Sequence, residues 1–510
     1  MIVLKNYAIC LTAILLFVFG NFRDACATDS GDSRTVDASY DLIVVGIGSG
    51  GFAAALAAAR QGLSVLCLEK ADHIGGTAVR AGVSMWEPGV GGTGIPFEVY
   101  RRLKTLPNAV GIYSFGRHIS WDGWEAFPGG EHIIDSERHY ADTLRRHPGP
   151  GKSADAAFRK DRWHGVVFEP DIYERALRRL LTETGRVTIR TETTFKEVGR
   201  QGGRVVALHL TTGERVAARF YVDATGGGAL CKACGCEMMY GQECRARFNE
   251  PSAPAAPNNQ INGVTLIFRI SRARESRIEP LAEGISARCW WGKLPAMSAV
   301  QYPNGDYNCN MLPTMKGEEF AQLGYEDAYG ECRRRVYSFW HHVQKQWPEF
   351  QQYRISWIAP ALGVRETTRV VGEYILTEND LRAGLARQDH PDIIAIADHS
   401  LDRHGTATGA KELAEPYGIP YRCLLPKGME NVLVACRGAS FSSIVASSCR
   451  LSRTMMQLGQ AAGTAVALAA ELSIDLSDVP PEKLRAELRS QHVELEWPRE
   501  PGLREYIVPE

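Results

Sequence analysis

Neither sign of charge is in excess in this chain: 58 Lys and Arg stand against 59 Asp and Glu, a formal net charge of −1. That balance excludes the polycationic surface that nucleic acid or anionic lipid would need. Past residue 20 there is no apolar run long enough to cross a bilayer. There is no internal repeat and no long low-complexity tract, so solenoids and linker arrays are excluded. A C-x-x-C-H motif is also missing, since Cys234 is followed by Gly235, and no c-type haem is expected there. What remains is ordinary globular composition, 45% hydrophobic and 23% charged, at a length that suggests more than one lobe.

Residues 1–27 read as an export signal rather than as fold. Lys5 gives the positive start, Ile9–Gly20 an apolar stretch too short to span a bilayer, and Ala25-Cys26-Ala27 a small-residue cleavage site. The expected mature start is Thr28, the expected location periplasmic or secreted, and no stable membrane span is expected after removal. Of thirteen cysteines, Cys231, Cys234, Cys236 and Cys244 cluster. Their close spacing suits a metal or iron–sulfur centre, but disulfides or simple packing are the commoner use, and no metal is expected.

The most informative stretch is Tyr40–Thr77. Leu42–Val45 is a β-branched run that breaks at Gly46, Gly48 and Gly51, a G-x-G-x-x-G pattern with Ser49 and Gly50 inside it. An Ala-rich helix follows, Phe52–Arg60, closed by Gly62, and then an apolar strand, Leu63–Leu68. In such a unit the first glycine makes a tight turn, the second lets a pyrophosphate approach the backbone, and the third lets helix and strand pack closely. The helix start holds the phosphates with free N–H groups and its positive dipole end. Glu69, 18 residues past Gly51, is placed to bind a ribose hydroxyl. Lys70 and a second glycine pair, Gly75-Gly76-Thr77, come next, and far downstream Phe220–Gly228 runs from a strand into Ala224-Thr225-Gly226. These last two features favour FAD over NAD.

On these motifs the chain resembles the FAD-dependent oxidoreductase family of two-dinucleotide-binding-domain flavoproteins, related to the fumarate reductase and succinate dehydrogenase flavoproteins. The resemblance extends to Ile419–Gly463. It implies an α/β fold: a Rossmann-like FAD-binding domain, with a parallel sheet plus β-meander, and a second α+β substrate or cap lobe. It implies FAD held without a covalent bond, because Gly76-Thr77-Ala78 occupies the place where some relatives attach the flavin through a histidine, and His73 reads as a loop residue. The strand at Phe195 is expected near the adenine. Arg437 and the helix start at Arg450-Leu451-Ser452 are expected at the flavin, where a positive helix end stabilises the reduced anionic ring.

The expected organisation follows. Residues 38–110, 165–260 and 355–475 form a discontinuous FAD-binding domain, 111–164 and 261–354 the substrate or cap lobe, and 476–510 a C-terminal helix and tail. Thr77–His164 reads as glycine-punctuated loop. Asp171 is expected to cap a helix over Ile172–Thr184, with Glu174 as its capping-box partner. Strands are expected near Val187–Arg190, Thr194–Val198, Arg204–Leu210, Arg215–Val222, Ile393–Ala397, Pro420–Pro426 and Asn431–Cys436. Helices are expected over Tyr325–Trp347, with His341 and His342 solvated, and over Leu451–Leu472.

For catalysis, Asp398, His399, Asp402 and His404 fall within seven residues on one loop. The task calls for a base with a pKa near working pH, so His404 is the first candidate, with His399, Arg365 and Glu366 as partners. The competing reading makes these acids and histidines mere loop supports. Three functions stay open. The leading one is a FAD-dependent dehydrogenase or oxidase of a small organic substrate, such as a sugar or hydroxy acid, passing electrons to an external acceptor. The others are an alkene reductase of the fumarate reductase type and a flavin and thiol relay without turnover.

Overall fold

The computed structural model describes residues 36–115, 130–149, 152, 154–289, 297–311, 313–404 and 410–507; the expected export signal lies outside them. Among the described residues two large sheets organise the chain. The first, seven-stranded, runs in the order Val187–Arg190, Val65–Leu68, Ala38–Val45, Arg215–Asp223, Arg204–Leu210 and Phe195–Gln201, with Val432–Val434 also paired to Arg215–Asp223. Ala38–Val45 lies at its centre, parallel to both neighbours, with Leu42 opposite Val65 and Phe220. Leu42, Ile43 and Val44 are fully buried, as expected of a parallel strand covered on both faces. The Phe195–Gln201 and Arg204–Leu210 strands are an antiparallel hairpin, the expected meander feeding Ala224-Thr225-Gly226.

Two helices cross on this sheet almost backbone to backbone: the cradle helix, Ser49–Arg60, and the long helix, Ser452–Leu472. A Cβ on Gly459 would sit 2.0 Å from Gly50 O, and one on Gly463 would sit 2.2 Å from Ala54 O. The alanines of the cradle helix and the glycines of the long helix are therefore one feature, a seam that only small side chains permit.

The second sheet has eight strands, in the order Tyr353–Ile358, Phe268–Arg272, Tyr307–Met311, Met297–Gln301, Glu131–Ile134, Val110–Phe115, Gly165–Phe168 and Met85–Trp86. The helix Tyr325–Gln346 packs Val336, Phe339, Trp340 and Val343 into a core shared with Phe268 and Met297. Met85–Trp86 and Gly165–Phe168 thus join this sheet, although the sequence segmentation above counts them with the FAD-binding part. Short apolar runs carry no label for which of two sheets they enter.

Several local expectations need correction. Within the segment read as loop, Ile95–Lys104 is a helix that buries Ile95, Phe97, Val99, Tyr100 and Leu103 on one face, with Pro96 in its first turn. The helix after Phe168 starts at Pro170 and ends at Thr182, and no side chain caps it. Glu174 is no capping partner: it accepts the Ile74 N–H at 3.1 Å and lies 2.7 Å from His73 Nδ1. The strand expected over Pro420–Pro426 is Tyr417–Pro420, antiparallel to Ile393–Ala397. Pro420 has no N–H to extend the ladder, and the chain turns into a 3-10 segment, Tyr421–Leu424. His341 is half-buried, its Nδ1 3.0 Å from Glu279 O, rather than solvated, and His342 is half-buried too. Among the described residues no helix is long and apolar enough to cross a membrane.

Candidate active site

A cavity of ≈ 1940 Å³ runs from the tip of the first sheet to one face of the second. Pockets for drug-sized ligands span about 300–1,000 Å³, so this one has room for a dinucleotide and a substrate together.

At the sheet tip the glycines divide the work. Gly46 has φ +91°, and a Cβ there would lie 2.6 Å from Ala224 O, so the two motif turns touch. Gly48 faces open space, the nearest atom to its Cβ position being Gly76 Cα at 4.0 Å. Gly51 lies behind, where a Cβ would meet Gly46 O at 1.9 Å. The Gly75 N–H donates to Ile47 O at 2.7 Å, tying the second glycine pair to the first. Glu69 accepts the Ile47 and Ala71 N–H groups at 2.9 and 3.1 Å. Asp223 accepts Thr225 Oγ1, Thr225 N and Cys231 N at 2.7, 3.1 and 3.0 Å and so fixes the Ala224-Thr225-Gly226 turn; burial raises its pKa. Beside that turn, a Cβ on Gly226 would lie 2.7 Å from the Arg437 guanidinium, and Arg437 Nε has no hydrogen-bond partner among the described residues.

At the other end two histidine–carboxylate pairs face the cavity. His404 Nε2 lies 2.5 Å from Asp402 Oδ2, which also accepts Arg450 Nη2 at 2.9 Å. Burial alone would raise the Asp402 pKa, but His404 and Arg450 outweigh it and hold the carboxyl far below its ordinary value. Burial, and then the charge of Arg365, push His404 down to about 4, so it is neutral at pH 7. With Asp402 ionised, His404 Nε2 carries the proton and Nδ1 keeps its lone pair. Arg365 donates to Gly263 O and Thr265 Oγ1 at 2.9 and 2.7 Å, and burial with Arg450 nearby lowers it to about 9. In the second pair His399 Nε2 lies 3.3 Å from Glu87 Oε2. The Glu87 side chain is 46% exposed, and although partial desolvation works to raise its pKa, His399 and Arg146 bring it down to about 2.

A profile for FAD dependent oxidoreductases matches residues 41–488. The chain belongs to this family. Among curated proteins it is similar to 3-oxosteroid 1-dehydrogenase of Mycobacterium tuberculosis (49% identical over 79 residues, 15% of this chain and 13% of that one). It is also similar to NADH:fumarate oxidoreductase of Klebsiella pneumoniae (43% over 61 residues, 12% and 7%) and vinyl phenol reductase of Lactiplantibacillus plantarum (60% over 40 residues, 8% and 8%). The matched stretches therefore span a small part of each relative. Among solved structures, a geranylgeranyl bacteriochlorophyll reductase-like protein of Thermoplasma acidophilum is 13% identical, covering 89% of this chain and 84% of that one, with a TM-score of 0.45.

This FAD-dependent oxidoreductase has the parts that a flavin dinucleotide needs. The open face at Gly48 and the uncapped start of the cradle helix suit a pyrophosphate, and Glu69, just past the neighbouring strand, suits a ribose hydroxyl. The partnerless Arg437 Nε and the uncapped start of the long helix present positive charge. Gly46, Gly48, Ser49, Gly50, Glu69, Lys70, Gly76, Thr77, Phe195, Ala224, Thr225, Gly226, Arg437, Arg450, Leu451 and Ser452 all line the cavity. Gly51 and Gly75 do not; they shape the turns behind it. His404, His399 and Arg365 line the far end, but Glu366 does not. It is 3% exposed and accepts Arg369 and the Asn262 side chain, the latter at 2.8 Å. Asn262 Oδ1 in turn accepts the His404 N–H at 2.9 Å, so Glu366 positions the loop rather than touching substrate. Sequence reasoning missed Glu87, Arg146, Trp163, His132 and Asn310, all of which line the cavity. Nothing in their local sequence marks them; only tertiary folding collects them, His132 and Asn310 on strands of the second sheet and Glu87, Arg146 and Trp163 outside its strands.

Proposed function

We propose that this enzyme oxidises a hydroxyl-bearing carbon of a small organic substrate, with FAD held non-covalently and the electrons passed on to an external acceptor. The observation that carries this reading is the neutral imidazole of His404, hydrogen-bonded at Nε2 to Asp402 in the cavity wall. Bound FAD supplies a two-electron acceptor. His404 Nδ1 takes the hydroxyl proton as the alcohol becomes a carbonyl, and Asp402 stabilises the imidazolium that forms. Arg450 holds Asp402 in place, and the Glu366–Asn262 link holds the His404 backbone. His73 is turned to Glu174, away from an attachment role. The N-terminal signal pattern supports export, which the N-terminal sequence of the secreted protein would test.

The test is dye-coupled oxidation of an alcohol panel by the flavin-loaded enzyme. His404→Ala is expected to lower kcat by roughly 10²- to 10⁴-fold at unchanged flavin content. Unimpaired turnover by that variant would sink the reading. A second reading, reduction of an activated alkene, is favoured by Arg365, whose lowered pKa makes it a better proton donor than an ordinary arginine. Two of the similar proteins are named NADH:fumarate oxidoreductase and vinyl phenol reductase. Turnover of enones with reduced dye, and none of alcohols, would favour it.

A further inference from the structure

We infer that the substrate is a neutral polyhydroxylated ring, a sugar or cyclic polyol, seated on the second sheet; this rests on the oxidation reading above. Cross-strand pairing sets the surface. Ser298 is opposite Asn310, Val300 opposite His132, and His132 opposite Phe115, and residues so paired share one face of a sheet. All five line the cavity. The face thus carries three uncharged polar side chains, Ser298, Asn310 and His132, around Val300, with an aromatic ring at its border. Trp86 and Trp163 complete the aromatic part of the wall, Trp163 with the Arg146 guanidinium 4.5 Å from its ring centroid.

The hydrogen-bonding inventory selects the substrate. Ser298 brings a hydroxyl, Asn310 a side-chain amide and His132 an imidazole to this wall. Each of the three groups both donates and accepts hydrogen bonds. Hydroxyl groups match such a mixture because each donates and accepts. An apolar ligand would leave these groups unpaired. A carboxylate would need an uncommitted arginine fork, and two of the cavity's arginines, Arg146 and Arg453, are occupied. Arg146 donates to Glu412 at 2.9 Å and to Pro88 O at 3.2 Å, and Arg453 donates to Thr143 Oγ1 at 3.1 Å. The Glu87 and Glu412 carboxylates in the wall repel a further anion.

Binding to the oxidised, flavin-loaded enzyme tests this without requiring turnover. Tryptophan fluorescence or calorimetry would compare methyl glucoside, methyl galactoside and myo-inositol with methyl glucuronide, succinate and cyclohexenone. At least one polyol is expected to bind ten-fold or more tightly than methyl glucuronide. Asn310→Ala and His132→Ala are each expected to weaken that binding five-fold or more at unchanged flavin content. Ser298→Ala, a smaller change, serves if those variants misfold. Tighter binding of the glucuronide, succinate or the enone than of every polyol overturns the inference, as does no polyol binding. Polyol binding without dye-coupled oxidation would sustain it while the oxidation reading fails. Oxidation confined to anionic or apolar alcohols would do the reverse.

Discussion

Replacing Gly459 by alanine tests the link between helix packing and cofactor retention. The added Cβ would lie 2.0 Å from Gly50 O and 2.9 Å from Ala53 Cβ, against backbone on one side and a rigid methyl on the other. Relief needs a shift of roughly 1 Å between the two helices, and overpacking of this kind costs about 1–3 kcal/mol. Because backbone must move, the upper end applies. Alanine returns about 1 kcal/mol of helix propensity, leaving a net loss of about 2 kcal/mol. Gly50 lies in the phosphate turn, so flavin content should fall with stability. Gly330→Ala is the control: it is also within a helix, nothing lies within 4 Å of its Cβ position, and it should stabilise by about 0.5–1 kcal/mol. Denaturant unfolding and the flavin-to-protein ratio measure both effects. A Gly459→Ala protein as stable and as flavin-rich as the parent would refute the argument.

Other expectations follow from the same geometry. His404 and His132 both sit at about 4, below the ordinary histidine value of about 6.5, so the unfolded chain takes up protons first as pH falls. Their contribution is present in full above about pH 6.5 and declines towards pH 4, and a denaturation midpoint unchanged between pH 7 and 4.5 would contradict this. Turnover should likewise fade below about pH 4 as His404 protonates, and above about pH 9 if the Arg365 charge is required. Glu366→Gln removes one of the two carboxylates paired with the fully buried Arg369, and breaking a buried pair costs about 3–5 kcal/mol, lowered here by the remaining Glu243 at 2.6 Å. A loss below 1 kcal/mol in urea unfolding would argue against a positioning role. Cys231 is buried, and Cys231→Ser should leave dye-coupled turnover unchanged; its loss would revive the thiol relay.

The cofactor half of the molecule was legible because its physics is local. Gly46, Gly48 and Gly51 answer to turns and contacts within a few residues, and Glu69 follows at a distance set by one helix and one strand. The candidate histidine loop was legible in part: His404 and Asp402 are near neighbours in sequence and do meet. Glu366 was misread because adjacency to Arg365 says nothing about which side chain turns inward; burial with Arg369 decides it. Glu87, His132 and Asn310 were beyond reach for a further reason. His132 and Asn310 lie on strands far apart in the chain and Glu87 just past a third, and each is an ordinary residue until the eight-stranded sheet puts them on one wall.

The small-residue seam also sets a clock. Gly50 and Gly459 are roughly 400 residues apart, and at about 5–20 residues per second a ribosome needs roughly 20 to 80 s to make both. Until then the cradle helix has no partner for its alanine face, and the phosphate turn has nothing behind it. A nascent chain in that interval carries exposed apolar surface and no means of retaining a nucleotide. It becomes able to hold a flavin only once its last long helix has been made.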